Sequence, residues 1–291
     1  MAQKSSNSNL EIYKVKKTNK VVKVLIYIGL VIWVLINLFP IYYMFTFSLK
    51  NNSEIFTTNV IGLPQNWLWS NYKEAMSRGN MLRNFMNSIF VSATTIAISL
   101  VASLMATYAI TRIVWKGRKL LNSIFMLGIT IPIHVALYPI YVILTKTHTT
   151  STYASLIIPY SAFALSMAIM ICTGFMNDIP TELDEAARID GCGLAATFFN
   201  VIAPLMKPAL ATIGIYTFLQ CWNEFMFASV FINDSNHKTL PVGVAELAGR
   251  TTTDWGIVGA GLALATFPML FVYIFLSRNI QESFMAGAIK G

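Results

Sequence analysis

Few side chains in this sequence are suited to chemistry, and most of those stand in one stretch. Between Asn177 and Lys207 lie five carboxylates, Asp178, Glu182, Asp184, Glu185 and Asp190, opposed only by Arg188 and Lys207. Elsewhere the reactive types are scattered. Cys172, Cys192 and Cys221 show no metal-ligand or disulfide spacing, and His134, His148 and His237 are isolated. No Gly-x-x-x-x-Gly-Lys-Ser/Thr phosphate loop and no Ser/His/Asp set is present. The expectation is a protein with no catalytic residues and no metal site. A second group, Trp222, Asn223 and Glu224, sets an aromatic ring beside an amide and a carboxylate. That combination suits stacking on a sugar and hydrogen-bonding it. It suits helix packing equally well.

The elements that hold these groups are apolar. Hydrophobic residues make up 55% of the 291 and charged ones only 12%, against about 25% charge in ordinary soluble domains. Six apolar runs stand out, at about Val24–Phe47, Phe85–Ile110, Leu120–Leu144, Tyr153–Met176, Pro208–Ile232 and Ile257–Leu276. Each is long enough for a hydrocarbon core of ~30 Å, which takes roughly 20 helical residues. The runs are continuous rather than alternating, so helices are expected and a barrel is not. Glu224 falls inside the fifth run. Ionised against lipid it would cost at least ~2.5 kcal/mol at mid-bilayer, so it should face protein or a wet cavity, or lie nearer an interface.

The net charge of +8 sits mainly between the apolar runs, which fits a membrane surface and not nucleic acid. Lys4, Lys14, Lys16, Lys17, Lys20 and Lys23 precede the first run. That run exceeds the ~7–15 residues of a signal-peptide core and reads as a retained span. If the N-terminal tail is cytoplasmic, 14 of the 21 basic residues lie on the inside, so both termini are expected there. Trp67, Trp69, Tyr72 and Trp255 suit the membrane–water interface. The expected organisation is a basic tail at 1–23 and a membrane domain at 24–291. That domain has its core at 84–278, a long inside loop at 177–207 and a C-terminal tail at 278–291.

The loop is too long to be a plain connector. Thr181 should cap a helix, with Asp184 in the reciprocal position. Glu182, Asp184 and Glu185 fall in its first turn, where the helix dipole favours negative charge. Asp184 and Arg188 have i,i+4 spacing in the favoured order, and Gly191 is a stop signal. A second helix is expected with Phe198, Val201, Ile202 and Leu205 on one face. Leu183, Ala186, Ala187 and Asp190 share one face of the first helix. On chemistry alone this is either a solvated hairpin capping the bundle or a docking element for a cytosolic protein.

The stretch Glu185-Ala186-Ala187, Asp190-Gly191, Ile202 and Pro204-Leu205 resembles the EAA loop of binding-protein-dependent ABC permeases. Ala203 stands where that family usually has leucine, and Cys192 where alanine is common. Further stretches resemble its sugar branch, in particular the smaller permease of maltose-type transporters. They include Asn87-Ser88, Arg112, Ile131-Pro132, Trp222-Asn223, Thr239–Gly243 and the ending Gly287-Ala288-Ile289-Lys290-Gly291. The resemblance implies an all-α membrane protein of six spans with the type I ABC importer permease fold and cytoplasmic coupling helices. It implies a second homologous permease subunit, two cytosolic ATPase subunits that bind the ATP and Mg, an extracytoplasmic sugar-binding protein, a sugar cargo and a cell-membrane location. This chain would itself carry no cofactor. Glu185, Ala186, Ala187, Arg188, Asp190 and Gly191 would couple to the ATPase. Gly287, Ala288, Lys290 and Gly291 would reach between the ATPase subunits. The loop Asn233–Trp255 would touch the binding protein, and Trp222, Asn223 and Glu224 would border the substrate path. An ABC permease for another solute and an ion-coupled carrier are the alternatives. The carrier is disfavoured because neither an inverted repeat nor several midplane charges are visible.

Overall fold

The computed structural model describes residues 20–78, 80–249 and 253–288, with side chains in the last helix described as far as Ile274. The chain divides into two units, Met1–Met44 and Phe45–Gly291. The first holds nearly all of helix α1, Lys20–Ser48. This helix is apolar on every side, as a span in lipid must be. The N-terminal tail before Lys20 lies outside the described residues.

The second unit is built on α3, Met81–Thr111, and α6, Ala154–Asp178. The side of α3 turned into the protein is a seam of small hydroxyls: Ser88, Ser92, Thr95, Ser99, Ser103 and Thr107 are all buried. In lipid no hydrophobic force drives helices together, so small side chains that admit a close neighbour do that work. Ala168, Cys172 and Met176 of α6 pack into the cluster that includes Leu104 and Tyr108 of α3. Around this pair stand α4, Arg118–Thr130; α5, Leu137–Lys146; α10, Lys207–Asn223; and α13, Trp255–Ala288. Shorter helices fill the ends: α2 (Ser70–Arg78), α7 (Glu182–Ile189), α8 (Leu194–Thr197), α9 (Ala203–Leu205), α11 (Met226–Phe231) and α12 (Leu240–Glu246).

Among the described residues four helices are long and apolar enough to span: α1, α3, α6 and Trp255–Ile274 of α13. The count reaches six when two bent pairs are each taken as one span, Arg118–Thr130 with Ile133–Lys146 and Leu194–Leu205 with Lys207–Asn223. The third apolar run was expected to be one helix, and it is not. It breaks between α4 and the 3-10 turn Ile133–Ala136, with a bend of 96°. Proline pushes the residue before it into extended backbone, and Ile131 has φ −82° and ψ 116°. The fifth run also breaks. Helix α10 stops at Asn223, Glu224 is extended, and the chain resumes helix at Met226. The last helix shows no break where a separate tail was expected, and its backbone stays helical to Ala288.

At the end of the bundle formed by the N-terminus of α3, buried polar groups lock the loops. Asn71 Nδ2 donates to the carbonyls of Ser48 (2.9 Å) and Lys50 (3.1 Å). The fully buried Lys50 donates to the carbonyls of Asn59 (2.7 Å) and Val60 (3.2 Å). Gly256 fits against this knot only because it lacks a Cβ, which would meet the Lys50 carbonyl oxygen at 2.1 Å. Gly256→Ala is therefore expected to destabilise the unit by about 1–3 kcal/mol. A thermal melt of the detergent-purified transporter should show a lower midpoint, and an unchanged midpoint would mean that the backbones are not this tightly apposed.

Candidate functional site

The carboxylate-rich loop folds as α7, a turn, and the broken helix α8–α9. Gly191 has φ +84°. Its N–H bonds the Arg188 carbonyl at 3.0 Å, and the Cys192 N–H bonds the Ala187 carbonyl at 2.9 Å. These two bonds form a Schellman motif, and glycine takes its left-handed position without strain. The N-terminus is made differently from expectation. Thr181 is already in helical conformation and its side chain makes no capping bond. The dipole at that end is met by Glu182, Asp184 and Glu185 of the first turn.

The i,i+4 pair between Asp184 and Arg188 does not form. Asp184 turns inward to Arg112, at the end of α3, with 3.3 Å between Oδ2 and Nη1. The two side chains are only 10% and 6% exposed. The same guanidinium donates from Nη2 to the carbonyls of Met176 (2.7 Å) and Ile179 (2.5 Å). The Tyr108 hydroxyl lies 3.4 Å from Asp184 Oδ1. One buried cation thus ties the ends of α3 and α6 to the first turn of α7. A partner in the protein interior outbids a solvated i,i+4 neighbour, because the Arg112 charge would otherwise be stranded out of water.

Asp184 and Ala187 are buried, and the rest of α7, Glu182, Leu183, Glu185, Ala186, Arg188 and Ile189, is exposed. Of the face expected to be presented, Leu183-Ala186-Ala187-Asp190, three residues are exposed and only Ala187 is buried. Ala187 points inward, whereas Ile189 is 86% exposed. Glu185, Arg188, Asp190 and Gly191 are exposed as well. In the second helix Phe198 and Ile202 are buried as expected, but Leu205 is not, and Met206 takes its place. A π turn over Phe198–Ile202 inserts an extra residue and shifts the register.

Trp222, Asn223 and Glu224 diverge. Trp222, 3% exposed, packs edge-on to Phe85 and donates from Nε1 to the Ala265 carbonyl at 3.1 Å. Asn223 is exposed and bonds the Leu219 carbonyl of its own helix. Both border a cavity between α10, α12 and α13. Glu224 borders a different one, between α4, α6 and α10. Its carboxylate accepts from the backbone N–H groups of Phe227 (2.7 Å) and Ala228 (3.1 Å) and from the Tyr160 hydroxyl. The partly buried carboxylate thus satisfies the backbone that the helix break frees.

At the end of the bundle away from α7, Asn87 donates to the carbonyls of Asn236 (2.9 Å) and Lys238 (2.8 Å). Asp234 in that loop is held below the ordinary carboxylate pKa by the Asn236 backbone N–H and then by His237, 2.6 Å away. Gly287 and Ala288 end α13, with side chains outside the described residues, and Lys290 and Gly291 also lie outside them.

A long helix, two bent spans and a buried arginine gripping an Ala-containing acidic helix define a multi-pass membrane component of a transporter. The model of the family "Binding-protein-dependent transport system inner membrane component" matches residues 98–285, and the chain belongs to that family. A putative ABC transporter permease protein from Caldicellulosiruptor sp. (strain Rt8B.4) is 38% identical over 265 residues, 91% of this chain and 96% of that one. A trehalose/maltose transport system permease protein from Thermococcus litoralis is 30% identical, over 92% of this chain and 97% of its own length. A chain from the crystal structure of a bacterial ABC transporter that imports the acidic polysaccharide alginate superposes with a TM-score of 0.80 at 20% identity, covering 90% of this chain and 98% of that one.

Arg112 was noticed in the sequence only as a basic residue and a point of resemblance. Removing it leaves Asp184 charged and buried, at a cost of about 3–5 kcal/mol. Arg112→Ala should raise amide hydrogen exchange across 181–192 above wild type, with Arg112→Lys intermediate. Unchanged exchange would show that α7 does not depend on this pair.

Proposed function

We propose that this chain is the transmembrane permease subunit of an ATP-driven, binding-protein-dependent sugar importer, and that α7 is the helix on which a cytosolic ATPase docks. The observation that carries the docking role is the geometry of α7. A short acidic helix shows Glu182, Glu185, Ala186 and the 86%-exposed Ile189 to solvent, while its other side is clamped to two long helices through Arg112. Exposed isoleucine and a small alanine suit close approach by another protein, and the carboxylates suit a basic rim. The buried clamp suits transmission of force into α3 and α6.

The sugar class is supported by the trehalose/maltose permease relative and by the fold shared with the alginate importer. The family's description supports a binding protein as partner. By the same reading a second permease subunit completes the pore, and the ATP and Mg sit on two ATPase subunits. The α7 end is cytoplasmic, together with both termini, and the loop at 233–255 faces the binding protein. The charge asymmetry supports this orientation. Import proceeds as closure of the ATPases, driven by ATP, pulls α7 and turns the cavity outward. Hydrolysis then returns it inward. Gly287, Ala288, Lys290 and Gly291 are proposed to add a contact between the ATPases.

Glu185→Lys places a cation where the docking face is acidic, and Gly191→Pro removes the N–H that closes the turn and forbids its positive φ. Each variant should reach the membrane in normal amount, lose sugar uptake and copurify less ATPase. Wild-type uptake by both would refute docking through α7. Orientation is tested separately with single cysteines in a background lacking the natural three. Labelling of intact cells by a membrane-impermeant maleimide should reach Gly62→Cys and Asn236→Cys and miss Asp190→Cys, and the reverse pattern would invert the assignment.

A further inference from the structure

The two helix breaks meet at one place. Ile131, Pro132 and Ile133 from the α4 break and Glu224 from the α10 break line the same cavity of about 300 Å³. Irregular backbone at bilayer depth is tolerated where it is covered by protein or borders a polar cavity, and broken helices are where carriers hold cargo. The α10 break is satisfied by the protein itself. Glu224 caps the resumed helix and accepts from Tyr160, so the cavity wall is fixed before any ligand enters.

Ser166, Tyr216, Thr217 and Gln220 on that wall take no part in either break. Tyr216 and Gln220 are one turn apart on α10, and both line the cavity. Among the described residues the Tyr216 hydroxyl and the Gln220 amide make no hydrogen bond to the protein. Polar groups within a span that the protein leaves unbonded are costly unless water or cargo meets them. Tyr160, Phe163 and Tyr216 add aromatic surface on the same wall. The lining holds no Lys, Arg or His, and both oxygens of its single carboxylate are already engaged.

We propose that this cavity between α4, α6 and α10 is a sugar-ring subsite for a neutral cargo. Tyr216 and Gln220 hydrogen-bond its hydroxyls, and the Tyr160–Glu224 pair is a positioning element that holds the break in shape. The proposal rests on the sugar-import reading and adds a place and a charge class to it. With no cation to pair a carboxylate, the subsite disfavours uronic acids, unlike the acidic cargo of the alginate importer.

The test uses the complete transporter with its binding protein in proteoliposomes. The probes are maltotriose, cellotriose, xylotriose and mannotriose, with trimannuronate as the acidic counterpart. The wild type should import at least one neutral trisaccharide and not trimannuronate. Tyr216→Phe and Gln220→Leu should each lower that import about five- to tenfold, the loss of roughly one hydrogen bond. The yield and thermal midpoint of the assembled complex should stay at wild-type values, and Gln220→Asn should restore part of the import. Wild-type import by both variants, or loss of assembly in parallel with import, would overturn the subsite. Import of trimannuronate alone would overturn the neutral charge class and leave sugar import standing. Import of none of the five would contradict the sugar reading along with the subsite.

Discussion

The buried guanidinium of Arg112 is the constraint on which the rest of the second unit depends. An arginine cannot shed its charge, and moving it out of water is expensive unless its donors find acceptors. Here it finds the carboxylate of Asp184 and the carbonyls of Met176 and Ile179. Those acceptors come from the end of α6 and from α7, so satisfying one charge fixes three chain segments together. The orientation of α7 then follows. Asp184 must point in, Ala187 follows it one turn later, and Glu185, Ala186 and Ile189 are left outside. The exposed side of α7 is thus set by what the opposite side must bury.

A second constraint comes from lipid, which offers no hydrogen bonds to a broken backbone. The seam of serines and threonines on α3 lets α6 and α10 approach closely without a bulky core. Where α10 breaks, at Glu224, the carboxylate supplies the acceptor that the freed backbone N–H groups of the next helix need. The α7 end and the cavity are joined by α3, α6 and α10, so a displacement of α7 would have a short mechanical route to the cavity wall.

Much of this was legible in the sequence. The apolar runs announced the spans because lipid demands long uninterrupted stretches, and Gly191 announced the turn because few other residues accept its φ. The carboxylates and Gly191 marked out the helix and its turn, but not which of its residues would turn inward. Asp184 and Arg188 have the spacing of a helical ion pair, and only the tertiary structure supplies the competing Arg112. The breaks were hidden for a different reason. Pro132 and Glu224 stand at the breaks, but Pro159 and Pro268 lie inside helices that continue through them, so residue type alone does not mark where the chain bends. Trp222 and Glu224 are near neighbours in sequence but border different cavities, because the helix ends between them.

If Arg112 transmits force, α7 moves as one body with α3. Cys192 closes the α7 turn and is partly accessible, whereas Cys172 and Cys221 are buried. Met105 on α3 is exposed. With Met105→Cys, spin labels at 105 and 192 report the distance between the two helices by pulsed electron paramagnetic resonance. The account requires one narrow distance distribution that stays in place whether the assembled transporter is nucleotide-free or held closed by ATP with hydrolysis blocked. A shift of the distribution by several ångströms between those states, on the scale of a helical turn, would show that α7 slips against α3 and would contradict transmission through Arg112.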